Sequence, residues 1–179
     1  MLLVIISTVG NGMIRLQKSQ AAGSYGSNYG LFVAADGSQL KEVNRRAEID
    51  ATGTMCTEGI IKGNENGGFV CMDETARKML PYNKEYELKE GKYPVGTQEI
   101  SAGRAFFSEM GYDDVKVGDT VTLDYRAGMQ SEYKPEEFVV SGILYDRDEY
   151  TIEASYVAFG SQEFYDEHVA ENDRQYNLS

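Results

Sequence analysis

The chain has 179 residues, enough to bury a real core as one domain or as two small lobes. With 29 acidic against 17 basic residues its formal charge is −12, which makes nucleic acid and bulk anionic membrane surfaces poor partners, since both are held mainly by clustered Lys and Arg. One histidine and two cysteines rule out a His-rich or four-cysteine zinc site within a single chain.

Residues 1–14, MLLVIISTVGNGMI, carry no charged side chain, and Arg15 is the first ionisable one. As a helix they would reach about 21 Å, short of the roughly 30 Å hydrocarbon core. No basic region precedes the apolar run, and the small residues Ala21 and Ala22 come late for a signal-peptide cleavage site. The start therefore reads as the outer end of a transmembrane helix whose first half is missing, with a buried helix as the alternative. Gly10 and Gly12 each weaken a helix by about 1 kcal/mol relative to alanine, so they form a candidate hinge unless they merely fray a helix end. Residues 19–30, rich in Ser, Gly, Ala and Asn, read as a connector.

A strand is predicted at residues 31–35, then a helix capped by Ser38 and running to about Glu48 with Leu40, Val43 and Ala47 inward. Strands at 55–62 and 69–72 flank a turn cluster at 63–68, and a short helix at 73–80 is stopped by Pro81. Gly91 and Pro94 mark a turn. Ser101 is expected to cap a helix with Ala102, Phe106 and Met110 on one face, and Gly111 to supply its left-handed stop. In residues 117–125, Val121, Leu123 and Tyr125 alternate with Thr120, Thr122 and Asp124, the pattern of a strand with one wet face. Its expected partner is residues 138–145, apolar on both faces and hence more central. A last strand at 155–159 leads to a helix capped by Ser161, with Phe164, Tyr165, His168 and Val169 on one face.

Chemistry is harder to find. Asp146 and Asp148 alternate, but Tyr150 occupies the next ligand position, so a solvated acidic turn is favoured over a Ca²⁺ loop. The Gly63–Asn64–Glu65–Asn66–Gly67–Gly68 run lacks the Gly-Lys-Ser/Thr ending that cradles phosphate. No Gly-x-Ser-x-Gly elbow is present, and His168 on an apolar helix face reads as a packed histidine, not a base. Paired carboxylates among 29 acids are expected by number alone. Cys56 and Cys71 flank the 63–68 turn, but Cys56 is further from it, so they face each other only in an asymmetric or bulged hairpin. Two free, buried thiols are favoured, with a disulfide left open. The expectation is thus no catalytic, cofactor-binding or metal-ligating residue, and no cofactor.

Four elements carry a family likeness: Glu90-Gly91-Lys92-Tyr93-Pro94, then Glu99-Ile100 opening a short helix, then Val117-Gly118-Asp119 before a strand, then Phe138-Val139-Val140-Ser141-Gly142. In order and spacing they resemble the extracytoplasmic domain of MacB-like and FtsX-like permeases, membrane subunits of ABC transporters. The resemblance implies an α+β, two-lobed fold: residues 1–27 as the outer end of a transmembrane helix and stalk, 28–84 with 149–179 as a porter-like βα lobe, and 85–148 as an inserted β-rich lobe. It implies a non-enzymatic domain on the extracytoplasmic side of the cell membrane, moved by membrane helices. Its implied partners are a cytoplasmic ABC ATPase, a second permease subunit, and an extracytoplasmic protein or a peptide or lipid substrate. Asn177-Leu178-Ser179 ends where a further strand toward a second membrane helix is expected, so the sequence reads as a truncated piece. The rival reading is a secreted or lipid-anchored hydrolase or carbohydrate-binding module with an acidic cleft.

Overall fold

The computed structural model describes residues 16, 17, 20, 32–79, 86–146, 156–171 and 174–178. In chain order these form β1 (Phe32–Ala35), α1 (Gly37–Val43), β2 (Thr54–Ile61), β3 (Gly68–Met72), α2 (Glu74–Met79), β4 (Leu88–Gly91), β5 (Glu99–Gly103), α3 (Arg104–Glu109), β6 (Thr120–Arg126), β7 (Lys134–Leu144), β8 (Val157–Phe159), α4 (Gln162–His168) and β9 (Tyr176–Leu178). The mixture is α+β, as expected. The expected membrane-helix end, with Gly10 and Gly12, lies outside the described residues. Among the described residues no helix is long and apolar enough to cross a membrane.

The strands share one sheet whose hydrogen bonding closes on itself. β2 pairs with β3, β3 with β8, β8 with β5, β5 with β7, β7 with β6, and β6 returns to β2 through Ile60 and Ile61. Pairs β3–β8 and β5–β7 are parallel and the other four antiparallel. Closure removes the edges of this six-stranded ring. Two extensions remain, β9 and β1 beside the first half of β2 and β4 beside the last residues of β7. The segments assigned by sequence to the porter-like and inserted lobes therefore hydrogen-bond directly, at β8–β5 and β6–β2.

Every ring strand feeds one core, with Ile61, Phe69, Ile100, Val121, Phe138 and Ala158 each at most 1% exposed. Phe69, Phe138, Phe164 and Tyr125 pack largely edge to face, at centroid separations of 5.1 to 5.9 Å. A helix as short as α4 is marginal in isolation. Burial of Phe164 and Tyr165, at about 1.5–3 kcal/mol per large side chain, is what holds it. Ser161 caps it as expected, its Oγ accepting from the Phe164 amide at 3.0 Å. A smaller cluster, Val70, Phe159, Leu144 and Ala76, lies on the opposite face of β3 and β8.

Two helix expectations need correction. The first helix is capped by Asp36, not Ser38: Asp36 Oδ1 accepts from the Ser38 and Gln39 amides while Gln39 Oε1 accepts from the Asp36 amide. It ends at Val43, and Ala47 is exposed. Ser101 caps no helix. Residues Glu99–Gly103 are a strand buried between β7 and β8, and the helix begins only at Arg104 with Gly103 as its N-cap. Its amides are served from a distance, by Asp146 Oδ1 accepting from Ala105 at 2.8 Å. The stop at Gly111 is as expected, with φ +89° and its amide donating to Ser108. The alternation in β6 holds residue for residue, Val121, Leu123 and Tyr125 being buried and Thr120, Thr122 and Asp124 exposed. It pairs with β7 as expected, but through residues 134–139, so of the expected 138–145 stretch only Phe138 and Val139 face it, and the rest of that stretch pairs with β5 and β4.

Candidate functional site

The four sequence elements that carry the family likeness converge on one place, residues 139–142 of β7. From one side comes the turn after β4. Gly91 has φ +78°, and a Cβ there would sit 2.3 Å from the Ser141 carbonyl, so only glycine lets the two backbones meet. The next amide, Lys92, donates to that carbonyl at 2.9 Å. Gly142 answers from β7: a Cβ on it would lie 2.5 Å from the Lys92 carbonyl.

From the other side comes the turn before β6. Gly118, with φ +99°, donates to the Val140 carbonyl at 2.8 Å, and the Val140 amide donates back to the Asp119 carbonyl at 2.8 Å. Asp119 Oδ2 closes this turn by accepting from the Lys116 amide. Between these turns, the Val139 amide donates to Gln98 at 2.6 Å.

Side chains finish the knot. Ser101 Oγ donates to the Lys92 carbonyl at 3.0 Å and stands 3.0 Å from Ser141 Oγ, which in turn donates to the Ile100 carbonyl at 3.2 Å. Glu99 accepts from Lys92 Nζ at 2.7 Å and from the Val95 and Gly96 amides at 2.8 and 3.1 Å. Burial works to raise its pKa, but the Lys92 bond, the two amides and the Lys92 charge together prevail and hold it below the usual carboxylate range. Arg104 ties the first turn to the second, reaching Glu90 Oε1 at 3.2 Å and the Val115 carbonyl at 3.1 Å. Both serine hydroxyls are thus engaged with Lys92, Ile100 and each other within the fold. The arrangement braces the two turns against β7. Its outer surface is mixed, with Val95, Val117 and Val139 exposed beside the charged Lys92, Glu90 and Arg104.

No family model and no curated protein matches this chain. Among solved structures it is similar to "a domain of a putative Permease protein" from Porphyromonas gingivalis, at a TM-score of 0.40 and 11% identity, covering 87% of this chain and 62% of that one.

The remaining residues singled out by sequence fall elsewhere. His168 is stacked on Phe164 at 3.9 Å, its Nδ1 lies 2.9 Å from the Phe164 carbonyl, and its Nε2 is 3.8 Å from Glu136. It is a packed histidine that joins α4 to β7. Asp146 serves α3, while Asp148 lies outside the described residues. In the 63–68 turn, Asn64 clasps residue 156 from both sides, donating to the Tyr156 carbonyl and accepting from its amide at 2.9 Å each. Cys56 and Cys71 are both free and are register partners across β2 and β3.

One group was not anticipated. Glu58 is fully buried, and among the described residues neither carboxylate oxygen has a hydrogen-bond partner. Burial, with the nearby Cys71 adding to it, pushes its pKa up to about 10, so it is protonated at neutral pH. The register explains its position. Thr57 faces Val70 and Gly59 faces Phe69, leaving Glu58 as the extra residue of a β-bulge. A charged residue followed by glycine inside an apolar strand is the sequence signal that could have marked it. Gly160 makes room for the carboxyl, since a Cβ there would lie 1.9 Å from Glu58 Oε2.

Proposed function

We propose that this chain is the extracytoplasmic domain of an ABC transporter permease subunit of the MacB/FtsX type. It is a non-enzymatic module that receives the motion of membrane helices and passes it to a substrate or a protein outside the membrane. The observation that carries the reading is the set of four sequence elements whose order resembles that family, three of which brace the fourth at residues 139–142 of β7. Such bracing suits a body that must move as a unit, because backbone and side-chain bonds tie both flanking turns to one central strand. On this reading ATP is hydrolysed by a separate cytoplasmic ATPase, a second permease subunit completes the transporter, and the domain faces the outside of the cell membrane.

The test uses the full-length protein in its own membrane. Affinity purification in mild detergent should bring down an ABC ATPase, and protease added to intact spheroplasts should cleave this domain but not the ATPase. A chain released from the membrane after signal-peptide cleavage, with no ATPase bound, would overturn the proposal.

A further inference from the structure

The β2–β3 hairpin places its two thiols opposite each other only because it is irregular. Glu58 is the extra residue in β2, and with it the register aligns Met55 with Met72, Cys56 with Cys71 and Thr57 with Val70. Directly opposed residues of an antiparallel pair point to the same face, with Cα atoms about 4.5–5.5 Å apart. That separation falls within the roughly 4.4–6.8 Å over which two Cα atoms are bridged by a disulfide. Both thiols are free; Cys56 is buried and Cys71 half-buried, with its Sγ 3.6 Å from Gln162 Oε1 at the start of α4.

We propose that Cys56 and Cys71 form a dithiol site that a disulfide oxidant, such as a small-molecule or protein disulfide, converts to an intramolecular bond between β2 and β3. The more accessible Cys71 reacts first. Its thiolate attacks one sulfur of the oxidant, the oxidant's S–S bond breaks, and one oxidant thiolate leaves. Cys56 then gives its proton to that thiolate and attacks the Cys71 sulfur, expelling the second oxidant thiolate, which takes up the proton released when Cys71 ionised. Two protein thiols are oxidised and one oxidant disulfide is reduced to two thiols, so electrons and protons balance. The local electrostatics support this order: the Cys56 thiol beside it holds the Cys71 thiol below its ordinary range, and the same closeness, with burial, pushes Cys56 up. The inference does not depend on the permease reading, since it rests on register alone.

The test is made on the whole chain, reduced and then freed of reductant. It is incubated with oxidised glutathione, denatured, alkylated and weighed by intact mass spectrometry. The expected product is lighter than the reduced chain by two hydrogens, takes up no alkylating agent, and yields a Cys56–Cys71 cross-linked peptide. Folded chain should close at least about tenfold faster than chain in concentrated urea, because the strands hold the thiols at high effective concentration. In Cys56→Ala the reaction should stop at a glutathione adduct on Cys71. Two alkylated cysteines, a lasting glutathione adduct on the unaltered chain, or equal rates in buffer and urea would each overturn the proposal. These three readouts need no variant, so they stand even where Cys56→Ala folds poorly.

Discussion

Replacing Glu58 by glutamine should make the protein more stable, and increasingly so as pH rises. Glu58 is fully buried with both oxygens unpartnered among the described residues, and its pKa is pushed up to about 10 from an ordinary 4.5. A folded-state pKa raised above the unfolded value means that the group's contribution is intact below pH 4.5 and is lost as pH climbs toward 10, because the unfolded chain releases a proton that the folded chain must keep. Each pH unit in that window costs about 1.4 kcal/mol, so the penalty is about 3 kcal/mol at pH 7 and about 6 kcal/mol at pH 9. The second figure rivals the whole stability of an ordinary domain. Glutamine keeps the shape and one unsatisfied polar head but has no proton to lose. The variant should therefore match the native chain near pH 5 and exceed it by about 3 kcal/mol at pH 7, roughly a 1.5 M rise in urea midpoint for a slope near 2 kcal/mol per molar. With 13 tyrosines and no tryptophan, far-ultraviolet circular dichroism is the natural probe. A difference between the two proteins that stays constant from pH 5 to pH 9 would refute the argument, and so would native stability that rises across that range.

Three further expectations follow from the same structure. Gly91→Ala must adopt φ +78° and place a methyl 2.3 Å from the Ser141 carbonyl, so it should cost about 3 kcal/mol in urea unfolding, while Gly128→Ala, with nothing within 4 Å, should stay within about 0.5 kcal/mol. Asp146→Ala removes the one side-chain bond that the described residues make to the start of α3 and should cost about 1 kcal/mol by the same assay, with Asn largely restoring it. On the proposed permease reading, which takes residues 1–14 as part of a membrane helix, replacing both Gly10 and Gly12 by alanine in the full-length protein should favour helix by about 1 kcal/mol at each position and change transport or partner activation at normal expression; unchanged function would remove the hinge and leave the permease proposal in place.

Where local chemistry decided the structure, the sequence was readable. Val121, Leu123 and Tyr125 against Thr120, Thr122 and Asp124 is a period-two pattern, and β6 follows it. Ser161 is a cap because its hydroxyl reaches the Phe164 amide three residues on. Reading failed where the partner was distant. Ser101 has the look of a cap, followed at helical spacing by Ala102, Phe106 and Met110, yet its hydroxyl goes to Lys92 and Ser141. A strand buried on both faces shows no alternation, so Glu99–Gly103 left no period to see. Asp36 displaced Ser38 by two residues, a difference that turns on which oxygen reaches the Gln39 amide.

The candidate site shows the same division more sharply. Gly91, Gly118 and Gly142 are visible in sequence as turn or strand glycines, but the reason each must be glycine or lies so close to its neighbour comes from a second segment of chain. Gly91 meets Ser141, Gly118 bonds Val140, and Gly142 meets Lys92. Spacing alone therefore carries a likeness between chains without saying what the spacing is for. Glu58 is the converse case. Its acidity, its neighbour Gly59 and the unequal distances of Cys56 and Cys71 from the turn are separate oddities in sequence; one inserted residue accounts for the first two and sets Cys56 rather than Thr57 opposite Cys71, while the rest of the asymmetry comes from Ile60 and Ile61, which pair with β6 instead of β3. The bulge turns the carboxyl inward, keeps Ile61 facing the core after Cys56 despite an odd separation, and brings the two thiols into register.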